Sequence, residues 1–376
     1  MQQWNLTAEK ERFGVGFRAS YIGTKGTKLA GIRNINKPPA STTPFNQSRR
    51  PYPLFENIFL TDQGGNSIYH ALQLEASRRA SSLLFSTSYT WSNTISDVAD
   101  TGNEAAAELE NPYNRRPERA RESYALQHQF KSFAIWRIPV GEGRRFLTNL
   151  SGVGNHLVGG WELILQGYLQ TGPWFTPTFT GSDPSNTNTL GGRPDRLRDG
   201  NLENPTVDRW FDVSAFAVPP ANAGRFGNSG RNVLEGPPTK VLHVSLGKDI
   251  KLYERLKLSL LLAARNVFNA PNFSIPPANI SAPTTVGRVA GTQGDLLLGG
   301  ARNVQVRAFI SWRARSKSIP PGAEWKSTVA VDARESLRKA LDNSAEVFKV
   351  LWVVVDERKA RDHRRGGDED IKPPPA

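Results

Sequence analysis

Residues 257–265 read KLSLLLAAR, and on that stretch the fold turns. Leu258, Leu260, Leu262 and Ala264 fall on one parity, Lys257, Ser259 and Arg265 on the other. A side-chain period of two is the mark of an extended chain with one apolar face, because successive Cβ atoms of a strand point to opposite sides. The alternation recurs outward in both directions. Toward the C-terminus Val304, Val306, Ala308, Ile310 and Trp312 alternate with Asn303, Gln305, Arg307 and Ser311, with Phe309 the exception. Upstream, Leu242, Val244 and Leu246 alternate with His243 and Ser245, and Trp161, Leu163 and Leu165 with Glu162 and Gln166, then Tyr168 and Gln170. Ile68, Leu72, Leu74 and Ala76 alternate with Tyr69, Gln73, Glu75 and Arg79; Phe85, Tyr89 and Trp91 alternate with Ser86, Ser88 and Thr90.

With weaker candidates near 2–10, 16–23 and 126–138, the count is roughly ten strands, each near the ten or so residues that a tilted strand needs to cross a bilayer. Strands of ordinary globular proteins run nearer five or six residues. Length therefore favours an all-β, antiparallel transmembrane barrel, here an incomplete one, over a soluble sandwich. Aromatic residues near strand ends, Tyr89 with Trp91, Trp136, Trp161 and Trp312, suit the interfacial belts of such a barrel. The spacers are unequal. PVGEGR at 139–144 reads as a short turn, whereas 94–124 and 180–235 are long polar stretches rich in Asn, Asp, Gly and Pro, read as solvated outer loops.

Composition agrees. Among 376 residues are 33 Gly and 26 Pro, which suits many strands broken by turns. The longest apolar run, Val350–Val355, is far short of the ~18 residues of a helical span, so only strands could cross a membrane. Cysteine is absent, which excludes disulfides, thiolate metal sites and a cysteine nucleophile, and fits passage through an oxidising periplasm. The formal charge of +13 raises nucleic acid as a partner, but the distribution opposes it. Residues 313–376 hold 14 Lys/Arg and 11 Asp/Glu, and the remaining +10 is spread thinly over the first 312 residues. No basic patch interleaved with aromatics is present, so no nucleic acid is expected.

After Trp312 the character changes. Of the last 64 residues 25 are charged, which separates a tail, 313–376, from the barrel portion, 1–312. Within it 331–351 reads as an amphipathic helix with Leu337, Leu341, Val347 and Leu351 near one face, followed by Asp368–Asp370 and Pro373–Pro375. The tail is expected to be partly helical or disordered, and its abrupt onset suggests a frameshift or read-through product. The opening MQQWNLTAEK lacks the basic, apolar and small-residue segments of a signal sequence, so Met1 is read as an internal or misassigned start, or the edge of a fragment.

Several stretches are familiar in sequence. QQWNL at 2–6, SYIGTKGTKL at 20–29 and RNINKPP at 33–39 resemble the barrel of Oar-like TonB-dependent receptors. SIYHALQLEASRR at 67–79 and FSTSYTWSNTI at 85–95 do so as well, as do RWFDVSAFAVPP at 209–220, GRFGNSGRNVLEGP at 224–237, VSLGKDI at 244–250 and ARNVFNAPNF at 264–273. The resemblance implies a barrel of about 22 strands closed around a plug, in the cell outer membrane, energised by a periplasmic partner and moving bulky ligands. It implies contact with outer-membrane lipid and with the remaining barrel and plug. The barrel-assembly machinery would read a terminal aromatic signal, for which Ile310 and Trp312 are the candidates. Arg307 stands where that signal often has Gly, and 64 residues follow Trp312.

A scan for chemistry returns little. His70, His128, His156, His243 and His363 show no HExxH or other ligand spacing, and GxSxG and P-loop patterns are absent. GVGFRA at 14–19 lacks the preceding apolar strand of a dinucleotide fingerprint and reads as a hairpin turn. Asp97, Asp100 and Glu104 lack calcium-loop spacing. No enzyme, cofactor or metal is expected. By parity, Glu75, Arg79, Glu162, Gln166, Lys257, Arg265 and Arg307 are candidates for a polar lumen lining. An adhesion or structural barrel, and a soluble β-rich binding module, are the alternatives.

Overall fold

A computed structural model of the chain describes residues 1–98, 108–150, 152–253, 256–293 and 303–312. Nine long strands dominate it: β1 (Gln2–Arg12), β2 (Val15–Asn34), β3 (Phe59–Arg79), β4 (Leu83–Ser96), β5 (His128–Arg137), β6 (Trp161–Gln170), β7 (Thr239–Tyr253), β8 (Leu256–Arg265) and β9 (Asn303–Trp312). Each pairs antiparallel with the next in sequence, and the two-residue strand Ala120–Arg121 adds a tenth member at the end of β4. Among the described residues β1 pairs only with β2 and β9 only with β8, so the sheet is open, an incomplete barrel. No described helix is long and apolar enough to cross a membrane. The 313–376 tail, like Asp100 and Glu104, lies outside the described residues.

Residues opposite one another in an antiparallel pair point to the same face, so the register carries one parity class across the sheet. Leu6 faces Tyr21, which faces Leu72, which faces Trp91, which faces His128. Trp136 faces Leu163, then Leu246, Leu262 and Val306. Every apolar set read from the sequence thus lies on a single face. On the opposite parity are the buried strand residues Ser20, Ala71, Ser92, Thr94, Ser96, Thr239 and Val241. The long connections reach this face at Ser92, whose hydroxyl donates to the Leu126 carbonyl, at the Ser96 carbonyl, which accepts from Arg231, and at Thr239, whose hydroxyl meets Gln293. We call that face inner. Lys248 is a buried exception on the outer face, where its Nζ donates to the Leu157 carbonyl.

The outer face stays open. Trp4, Leu6, Phe17, Tyr21, Leu72, Leu74, Trp91, Phe130, Trp136, Leu169 and Leu262 are all large, apolar and exposed, and Trp91 keeps 51 % of its surface. A contiguous apolar surface of this size calls for a non-aqueous neighbour. A water-soluble module would have to bury these side chains, and among the described residues none covers them.

Two sequence expectations need correction. β2 and β3 run 20 and 21 residues, beyond the 16–23 and 68–79 read from the sequence, because their outer ends continue past register shifts at Thr27/Leu29 and Leu29/Gly31. Glycines at 23, 26, 31, 64 and 65 hid that extension, since they blur the alternation. The second correction concerns PVGEGR. The turn forms, the Gly141 N–H donating to the Phe146 carbonyl and the Phe146 N–H to the Pro139 carbonyl, with positive φ at Gly141 and Gly143, but the connection runs on through α1 (Gly152–Val158) before β6 begins. The β1–β2 hairpin is as read. Phe13 and Gly14 both have positive φ, the conformation of a two-residue turn whose twist matches its strands.

Candidate functional site

The site with the best claim to function is the inner face of the sheet together with the connections that cover its outer end. Along the unbroken register every carboxylate of the strands, Glu9, Glu11, Glu75, Glu162 and Asp249, falls on the inner parity. Glu75, Arg79, Glu162, Gln166, Lys257, Arg265 and Arg307 share that parity too, on β3, β6, β8 and β9. They are not gathered into one pocket. Glu75 meets Arg18, whose Nη1 lies 3.4 Å away while its Nε holds Glu9 at 2.6 Å, a chain of charge across β1–β3. Glu162 takes the Arg137 Nε at 2.8 Å between β5 and β6. These pairs are solvated, worth about 0–1 kcal/mol each. Arg79 and Gln166 are exposed, and Arg265 is half-buried beside the start of a long connection. Lys257 stands opposite Lys251 and Ser311, and Arg307 opposite Leu261. Ile310 and Trp312 pair with Leu258 and Leu256 on the outer parity.

Farther out, polar side chains form a ladder. Gln129 Nε2 donates to the Tyr168 hydroxyl at 2.9 Å, that hydroxyl donates to Gln170, and Gln170 Nε2 donates to Thr239 Oγ1 at 3.2 Å. Lys131 sits 5.8 Å from the Tyr168 ring centroid. The alternation had placed Tyr168 and Gln170 on this face, but the partner strands were not legible from it.

Residues 35–58, 108–127, 171–238 and 266–293 cover the outer end as a folded cap. The stretch 180–235, expected to be a solvated loop, supplies Trp210, Phe211, Ala215, Phe216 and Leu234 to a core that Phe175 and Val286 complete. Phe211 packs edge-on against Phe175 and Phe216, with centroids 5.9 and 6.1 Å apart. RWFDVSAF supplies most of it, and that aromatic density was the signal that a disordered loop would not show. Gly172 lets the backbone meet Gly236, since a Cβ there would stand 1.7 Å from the Gly236 carbonyl oxygen.

Buried ion pairs lock the cap, and none was anticipated. Arg193 bonds Glu110 and reaches Glu118 at 2.7 Å, all three nearly buried. Burial pulls the Arg193 pKa down, yet the two carboxylates outweigh it and hold it above its ordinary value. Arg231 donates to the carbonyls of Ser96, Val98 and Glu118, tying the cap to the end of β4. Lys37 pairs with Glu108 at 3.0 Å. Their partners lie more than 70 positions apart along the chain, so no local pattern pointed to them. On the cap surface Asp212 accepts from the Ser214 hydroxyl, Arg198 and Arg209, which hold its pKa at about 2. Burial raises Glu235, against the pull of Arg121. Among the described residues no three His, Asp or Glu side chains converge as a metal site.

Comparison with known proteins places this geometry. No curated protein matches the chain. Among solved structures it is similar to the FrpB iron transporter from Neisseria meningitidis (14 % identity, TM-score 0.35), covering 82 % of this chain and 30 % of that one. It is similar also to the outer membrane transporter YddB from Escherichia coli (8 % identity, TM-score 0.40), covering 81 % of this chain and 32 % of that one. The chain thus spans about a third of the length of those transporters. The family model described as outer membrane beta barrel domain matches residues 1–305, nearly all of the sheet and cap. With its long antiparallel strands, apolar outer face and polar inner face, the chain belongs to the outer membrane beta barrel domain family and resides in the outer membrane.

Proposed function

We propose that this chain is the C-terminal portion of a TonB-dependent transporter barrel of the Oar-like type, working only within a longer assembly. The observation that carries the reading is charge segregation: along the unbroken register of the long strands every carboxylate, Glu9, Glu11, Glu75, Glu162 and Asp249, turns inward, where a polar path would run. On this reading Glu75, Arg79, Glu162, Gln166, Lys257, Arg265 and Arg307 line the passage, and the cap forms its outer gate. Ile310 and Trp312 belong to the signal read by the barrel-assembly machinery, and a periplasmic partner supplies energy through a plug. Chemical catalysis has no part in it.

The open edges support dependence on further strands. In hydrocarbon each unpaired backbone N–H or C=O costs several kcal/mol, so two open edges outweigh the ~5–15 kcal/mol stability of a typical domain. Expressed alone, the chain should give no ion conductance in planar bilayers; stable single-channel currents would replace this reading with a small re-closed barrel. The transport reading itself is tested by deleting the gene and measuring growth on limiting bulky nutrients. Growth unchanged on all of them, with loss of surface attachment, would favour the second reading, an adhesion barrel. The exposed Tyr52, Leu54 and Phe55 on the cap, Leu54 at 94 % exposure, are the observation in its favour.

A further inference from the structure

The outer face of β1–β4 carries no carboxylate along the unbroken register, yet its short-turn end carries Lys10, Arg12 and Arg78. Alternation in AEKER sorts the charges: Glu9 and Glu11 turn inward while Lys10 and Arg12 turn outward. Lys10 stands opposite Phe17 and Arg12 opposite Val15, while Arg78 stands opposite Phe85. The Arg12 guanidinium carbon lies 4.8 Å from the Phe13 ring centroid. Arg78 Nε comes within 3.9 Å of where a Cβ on Gly14 would stand, so both guanidinium groups crown one turn. All three cations are exposed, and among the described residues none enters an ion pair.

A cation on a lipid-facing surface is tolerated only near the membrane interface, where long side chains reach the headgroups. Anionic headgroups there offer the missing counter-charge, and a guanidinium matches two oxygens of a phosphate. The exposed rings of Phe13 and Phe17, with Phe85 alongside, give the adjoining acyl chain an apolar seat. We propose that Lys10, Arg12 and Arg78 form a binding site for the phosphate headgroup of an anionic phospholipid, at the short-turn rim of the barrel wall. The inference rests on the membrane reading and adds a ligand class to it.

The test uses the full chain in zwitterionic detergent micelles, titrated with phosphatidylglycerol, phosphatidylcholine or inorganic phosphate, with retained lipid measured by mass spectrometry. Phosphatidylglycerol should be retained about tenfold more tightly than phosphatidylcholine. The variant Lys10→Gln/Arg12→Gln/Arg78→Gln should bring the two within about twofold. Arg116→Gln/Arg119→Gln/Arg288→Gln removes the same charge from exposed cap positions and should keep the preference. Equal retention of both lipids by the unaltered chain, or equal loss in both triple variants, would overturn the site. So would displacement of phosphatidylglycerol by an equal concentration of inorganic phosphate, which would make free phosphate the ligand. A chain that retains neither lipid and stays outside the micelles would instead sink the membrane reading on which the site rests.

Discussion

The sheet and the cap solve the same problem in opposite ways. The cap buries Phe211, Leu234 and Ala215 almost completely around a core closed to water, with charges such as Arg198, Asp199 and Arg209 on its surface and the Arg193–Glu118 pair buried inside it. The sheet turns most of its large apolar residues, among them Leu72, Leu74, Trp91 and Trp136, outward and exposed, and along the unbroken register keeps its carboxylates within. One chain therefore meets two solvents. The same residue type contributes stability in one region by packing against protein and in the other by facing lipid.

Three experiments can break or sharpen that contrast. The largest effect is expected at Phe211, where Phe211→Ala should destabilise the cap by about 3–5 kcal/mol through lost transfer energy and the cavity left behind. Hydrogen exchange would show protection lost over 171–238 but kept in β6 and β7; uniform loss across both would mean that cap and sheet are one cooperative unit. Next comes the outer face. Leu165→Arg, at the middle of β6 between Ala134 and Val244, should cost about 2–4 kcal/mol in a lipid bilayer, because a charge there has no water. Urea titration in bilayers of the longer assembly that closes the sheet checks it, and a cost within error of zero would place that face in water.

The smallest effect concerns Asp212. Its folded pKa of about 2 lies below the ordinary 3.8, so its contribution is fully present above about pH 4 and fades as pH falls through about 2. The size is on the order of 1 kcal/mol once solvent screening is allowed for. Asp212→Asn should flatten the acid limb of the cap's stability curve while leaving the sheet's unchanged. An unaltered acid limb would show that the Ser214, Arg198 and Arg209 contacts do not persist in solution.

Much of the sheet was legible from sequence because strand alternation is a local property. KLSLLLAAR and its counterparts assigned faces that the register later carried intact from Leu6 to Val306. The cap was read as loop because its order comes from contacts between distant residues. Arg193 with Glu110 and Glu118, or Phe211 with Phe175, leave no periodic trace. The helix Gly152–Val158 was missed for another reason: at seven residues it is too short to show a helical period.

What the sequence alone determined is the two-faced character of each strand, fixed by which residues sit on odd and which on even positions. Tertiary structure decided which face is covered, which strands are neighbours, and how the long connections bury Arg193 and Phe211 together. The physical reason is range. Side-chain alternation is set by backbone geometry within a few residues, whereas burial is set by whichever distant segment arrives to exclude water.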